Sequence, residues 1–207
     1  MANSPTTAFG LKPVRTVSGA DWSGKVRSYY ASASYATAMY IGDPVVLYGQ
    51  GNQNAVDAIG GSFVPGSLAE VRLATAGASN KIAGVITSVM AVSRDSVIYR
   101  EASVERILHV VDVRDVIFQI RGDGGGALAY TTVSLNAVLI SGTGSAVTGL
   151  SGWALDEGTT TAPAADATYQ LDILNVANFV GNEVASKYAV WEVLINQHSF
   201  APATAGV

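Results

Sequence analysis

No stretch of this chain carries the apolar periodicity of a long amphipathic helix. Its apolar runs are short, rich in Val and Ile, and bounded by Gly, Pro or polar loops. β-Branched side chains lose rotamer freedom on a helix but pack well on a pleated surface, so such runs are read as strands. Met39-Tyr40-Ile41 leads through the turn Gly42-Asp43-Pro44 into Val45-Val46-Leu47-Tyr48. Val71-Arg72-Leu73 alternates, and Lys81 to Val92 carries Ile82, Val85, Ile86 and Val89, with Gly84 marking a bulge or a close backbone approach. The strongest β region is Ile107-Leu108-His109-Val110-Val111-Asp112-Val113 followed by Val116-Ile117-Phe118-Gln119-Ile120-Arg121, with a turn expected across Asp112 to Asp115. Leu135 to Ile140, Tyr169 to Leu174 and Tyr188 to Ile195 supply further strands. In the last of these, alternation puts Trp191, Val193 and Ile195 on one side, facing a core or an interface.

Short strands at this spacing, with no repeat of 20 to 50 residues, predict a mostly β fold: a β-barrel, a β-tulip-like module or a sandwich. Three parts are expected. Residues 1–28, interrupted by Pro5 and Pro13 and carrying isolated large anchors, read as an extended N-terminal arm without a core of its own. Residues 29–200 form the β domain, with a division into two β subdomains expected within 122–168, and residues 201–207 form a flexible tail. Residues 49–61 and 141–152 read as loops.

Charged residues make up 14% of the chain, well below the roughly 25% of ordinary soluble domains. A surface so poor in charge favours self-association or docking on a larger assembly, which buries the apolar remainder. Twelve basic against sixteen acidic residues, with no basic run, argue against a nucleic-acid partner. The absence of cysteine excludes disulfides and thiolate chemistry. Neither a signal-peptide core nor an apolar run of transmembrane length is present, so cytoplasmic synthesis and no membrane partner are expected.

The search for chemistry finds no catalytic site, no metal site and no cofactor. Gly122-Asp123-Gly124-Gly125-Gly126-Ala127 fits a dinucleotide fingerprint by spacing. However, poor helix formers follow it, and Asp123 would repel a pyrophosphate, so it reads as a β-turn. His109 and His198 lack ligand spacing, and His109 reads as a structural strand residue. Asp112, Asp115 and Asp123 cluster near turns without an EF-hand pattern. Asp156-Glu157 sits in a Gly/Thr-rich loop and reads as solvated rather than as an acid–base pair. Tyr29, Tyr30, Tyr35 and Tyr40 read as strand residues facing a core or an interface.

Four blocks carry a resemblance: Met1-Ala2-Asn3-Ser4-Pro5 with Phe9-Gly10-Leu11-Lys12-Pro13-Val14-Arg15; Ala38 to Val45; Tyr99-Arg100-Glu101-Ala102-Ser103 running into Val110-Val111-Asp112; and Tyr188 to His198. Together they resemble the capsid cement, decoration or head accessory proteins of tailed bacteriophages. The pattern departs at Val113-Arg114-Asp115, where an acidic-proline turn would be expected. The resemblance implies a structural virion protein on the outer surface of an icosahedral head, stapling neighbouring copies of the major capsid protein. It further implies a homotrimer, with Phe9, Leu11, Pro13 and Trp22 as capsid- or partner-binding anchors. Two other readings remain: a phage tail or receptor-binding component with a carbohydrate site, and a metal-dependent hydrolase using the Asp112 to Asp123 region.

Overall fold

The computed structural model describes residue 3, residues 8–58 and residues 61–201. Within them the chain is built from strands: β1 (Lys12–Thr16), β2 (Arg27–Ala31), β3 (Pro44–Gly51), β4 (Val56–Ala58), β5 (Gly61–Phe63), β6 (Ala69–Leu73) and β7 (Gly84–Val89). There follow β8 (Arg106–Val111), β9 (Val116–Arg121), β10 (Asn136–Ala137), β11 (Leu139–Ile140), β12 (Ala154–Leu155), β13 (Leu171–Val176) and β14 (Val190–Ile195). One 3-10 turn, Tyr130–Thr132, is the only helical element among the described residues. The mostly β reading therefore holds.

A closed barrel takes the order β2-β6-β3-β7-β8. Its interior is filled by Tyr29, Ala31, Val45, Val71, Ile86, Leu108 and Val110. A five-stranded antiparallel sheet, β1-β9-β14-β13-β10, packs against its outside. One buried cluster joins the two, uniting Ile82, Val85 and Val111 of the barrel side with Phe118, Ile120, Trp191 and Val193 of the sheet. Trp191, Val193 and Ile195 do share the core-facing side of β14.

The layering explains why β8 is apolar at four of its six positions, on both of its faces. Leu108 and Val110 face the barrel interior, Val111 faces the sheet, and Ile107 packs with Val56 and Leu68 beneath the β4–β5 hairpin. A strand covered on both faces has no solvent side to mark with polar residues. At Gly84, a Cβ would lie 2.3 Å from the Val111 carbonyl oxygen, so the close approach read from the sequence is real.

Two boundaries differ from expectation. The chain passes from barrel to sheet at the turn between Val111 and Val116, not within 122–168. That turn was legible, but nothing local shows that the strands on its two sides join different sheets. Residues 49–61, read as a loop, extend β3 to Gly51 and then form part of the β4–β5 hairpin. Beyond Ala201, the expected C-terminal tail lies outside the described residues.

Candidate functional site

The described part of the expected arm is not an arm. Lys12 to Thr16 form the edge strand β1, in antiparallel register with Val116 to Gln119 of β9. Leu11 is 1% exposed and sits in the main core. The chain then doubles back: Thr16 N donates to Ala20 O, and Trp22 N donates to Val14 O at 3.2 Å. This return covers part of β1's outer edge. Pro13 and a bulge between Pro13 and Arg15 further spoil the edge as a template for strand addition. Residues 1–2 and 4–7, Pro5 among them, lie outside the described residues.

The segment is fastened to the barrel by two crossed glycines. A Cβ on Gly10 would stand 2.3 Å from the Gly42 carbonyl oxygen, and one on Gly42 would stand 2.3 Å from the Phe9 carbonyl oxygen. Both glycines have positive φ, +70° and +95°, which other residues adopt only at a cost. Leu11 N then donates to Gly42 O at 2.9 Å.

This crossing creates the site. Phe9, Leu11, Pro13 and Trp22 all line one groove of about 860 Å³. Ile41 and Ile86 from the barrel and Val190 from the sheet complete its walls. Val26, Leu150 and Phe179 stand on its rim, each at least one third exposed. Lys12 is the one charged residue among those lining it. A cleft of this size and character accepts apolar side chains and offers no acid–base pair. The sequence singled out Phe9, Leu11, Pro13 and Trp22 as partner contacts, although Leu11, 1% exposed, is a core residue and not a surface one. It did not supply the rim, whose members come from three separate polar loops and are single apolar residues with no pattern around them.

Beyond Leu150 the apolar surface continues. Val147 is 92% exposed, and Ile98, more than half exposed, lies against Gly149. Tyr40 and Tyr99 stack beside them with ring centroids 4.9 Å apart. The whole segment 141–152 holds no charged residue.

Below the groove lies Asp43, 2% exposed, accepting from Tyr40 N at 2.8 Å and from Ser151. Burial pushes its carboxyl up to about 6, although those two donors pull the other way. A carboxyl raised on folding is stabilising in its protonated form. Its contribution is complete below pH ~4 and is lost as the pH rises through about 6. Asp43→Asn should therefore gain about 1–3 kcal/mol at pH 7 over the native chain and nothing near pH 4. Asp172, also pushed to about 6 by burial, titrates in both proteins and cancels from the difference. Urea denaturation at the two pH values checks this; a less stable variant at pH 7 would show that the ionised carboxylate is net favourable.

The remaining sequence candidates are dispersed. Asp112 accepts from Tyr29 Oη at 2.7 Å and pairs with Arg27 at 3.3 Å, on a second cavity of about 840 Å³ that Arg114, Asp115 and Asp172 also line. Asp123 faces elsewhere, accepting from Gly125 N, Glu157 N and Thr159 Oγ1. Tyr29 and Tyr30 are buried, as read; their hydroxyls donate to Asp112 and Glu105.

The solvated reading of Asp156-Glu157 is overturned, since both are buried. Asp156 gathers the backbone N–H groups of Gly158, Thr160 and Thr161. Glu157 Oε2 accepts from Gly124 N and Tyr188 N, while Oε1 faces the Trp191 indole without a well-formed hydrogen bond. Burial drives the Glu157 carboxyl upward. Glu157 thus pins the 122–126 turn to the approach of β14, while Asp156 closes its own 156–161 loop. His109 Nδ1 meets Ser28 Oγ at 3.3 Å, and His198 Nδ1 accepts from Phe200 N at 3.2 Å. Comparison with known proteins gives no matching family model, no matching curated protein and no matching solved structure.

Proposed function

We propose that this chain is a structural virion protein that binds the outer surface of an icosahedral phage head and staples neighbouring capsid subunits, acting as a homotrimer. The observation that carries the reading is the apolar, almost charge-free face running from the groove over Leu150 to Ile98 and Val147. Monomeric proteins rarely leave such a face uncovered. The resemblance of the four sequence blocks to capsid cement proteins supplies the partner and the number three. Stapling follows from multivalency. Once one copy of a trimer docks, the remaining contacts are intramolecular, and avidity rises by roughly 10²–10⁴ over a single contact.

Val147 has no packing role and reports on the outer end of this face. Heads assembled without this chain should pellet the native protein, and Val147→Asp should lower the bound fraction at least tenfold with an unchanged melting temperature. Native protein that stays in the supernatant would refute the reading.

A further inference from the structure

His198 is buried, 1% exposed, and its two ring nitrogens have opposite standing. The backbone on either side of it is tied to the segment before β7: Ile82 N donates to Gln197 O at 2.8 Å, and Ser199 N donates to Ile82 O at 2.9 Å. Beyond Ser199 the hold depends on His198 itself. Phe200 N donates to His198 Nδ1 at 3.2 Å, Ala201 N donates to His198 O at 3.1 Å, and the His198 and Phe200 rings meet with centroids 5.6 Å apart. Nδ1 is thus an acceptor, so the ring is neutral and carries its proton on Nε2. Nε2 is buried without a well-formed hydrogen bond. An imidazolium donates from both nitrogens, and a second N–H at Nδ1 would point straight at the Phe200 N–H. Phe200 and Ala201 in turn line the second cavity, beside Val113 and Leu194.

We infer that residues 198–201 are a proton-operated latch: a proton on His198 Nδ1 breaks the bond from Phe200 and frees the chain beyond Ser199 from the second cavity. The latch is independent of the proposed function. The surroundings of the ring set the direction in which it responds. Burial acts most strongly and holds the His198 pKa below its ordinary 6.5. From the turn 112–115, the Arg114 cation pushes the same way, while Asp112, by its charge and its backbone, pushes back. Asp112 is already committed to Tyr29 and Arg27, which weakens that pull. Asp115 and Asp172 line the same cavity, and Lys81, next to Ile82, is exposed. A histidine pKa depressed on folding leaves the latch fully stable above pH 6.5 and weakens it as the pH falls below that value. Asp43 and Asp172, each raised to about 6, gain stability as the pH falls, with the opposite sign. A whole-molecule melt sums these contributions, so the latch is read residue by residue.

The chain has two histidines, His109 and His198, so imidazole-nitrogen NMR of the full nitrogen-15-labelled chain resolves both, and His109→Gln assigns them. At about pH 7.5 His198 should show the tautomer with its proton on Nε2, and it should still be mostly neutral at pH 6.5. As the pH is lowered further, the hydrogen-exchange protection factor of the Phe200 amide should fall at least tenfold in step with His198 protonation. That of Val193, in the middle of β14, should hold. His198→Asn offers a side-chain oxygen in place of Nδ1 and cannot take a proton there, so the Phe200 amide should keep its protection at every pH. A proton on Nδ1 at about pH 7.5, half-protonation at or above pH 6.5, or a Phe200 amide that stays protected through His198 protonation would each overturn the inference. So would a folded His198→Asn chain in which Phe200 still loses protection as the pH falls. Where that variant does not fold, the titration of the native chain decides alone.

Discussion

Deleting residues 1–25 should abolish cooperative unfolding or lower the melting temperature by more than about 10 °C. The deletion removes β1 and leaves the outer edge of β9 unpaired. It also removes Leu11 from the main core and Trp22 from its margin. Truncating one buried leucine to alanine costs about 2–5 kcal/mol, and a domain's whole net stability is about 5–15 kcal/mol. Losing the strand's hydrogen bonds as well brings the deletion into the range of that total. Had this segment been a free clamp, melting would hardly change and only partner binding would suffer. Circular dichroism melts of the truncated and full chains decide between the two, and a shift of under 2 °C would show that β1 is dispensable for folding.

The misreading of this segment shows what the sequence could and could not convey. Strands β3, β7, β8, β9, β13 and β14 were legible because each carries at least two apolar β-branched or aromatic residues, and β6 because Val71-Arg72-Leu73 alternates. β1 reads Lys-Pro-Val-Arg-Thr, with a proline, two cations and one large aliphatic residue. It is an edge strand, and the devices that keep an edge from aggregating also erase its strand signature. Its partner β9 lies about one hundred residues away, and alternation says nothing about which strand pairs with which. The same limit governs Asp156 and Glu157. Their own neighbourhood is Gly- and Thr-rich and reads as solvent, but the turn at 122–126 closes on Glu157 from more than thirty residues upstream, and the 158–161 backbone wraps Asp156. Phe9, Leu11 and Trp22 stand out in the sequence because large apolar side chains in a polar, Pro-interrupted segment must be covered by something, and for Leu11 that cover is the chain's own core. The groove that gathers them is tertiary, made where Gly10 and Gly42 let two backbones cross.

The second large effect belongs to Arg100, a cation with 0% exposure. Its Nε donates to Val104 O at 2.7 Å, Nη1 to Thr37 O at 2.6 Å and Nη2 to Ser32 O at 2.6 Å, and it lies 5.6 Å from the Tyr35 ring centroid. Burial holds its pKa below the ordinary arginine value. Two costs compete when it is replaced. A buried cation carries a desolvation penalty of several kcal/mol, which an apolar residue removes. Each carbonyl left without a donor costs about 1–3 kcal/mol. Ser32 O keeps a second donor in Tyr35 N, so replacement leaves the Val104 and Thr37 oxygens as the exposed liability. Arg100→Met should therefore cost about 2–4 kcal/mol, the loss of bonds outweighing the relief of charge. Arg100→Lys should cost as much or more, about 3–5 kcal/mol: it keeps the buried charge, but a single ammonium cannot span three diverging carbonyls. Urea denaturation of both variants tests the order, and a Lys variant within 1 kcal/mol of the native chain would overturn it. The consequence reaches the outer surface. Arg100 ties the 32–37 loop to the 100–104 turn, and Met39 and Arg100 pair through their backbones at 2.8 Å. Ile98 and the Tyr99 ring hang from that junction. If the proposed function is right, Arg100→Met lowers binding to phage heads at temperatures well below its melting point, whereas Asp43→Asn leaves that binding intact.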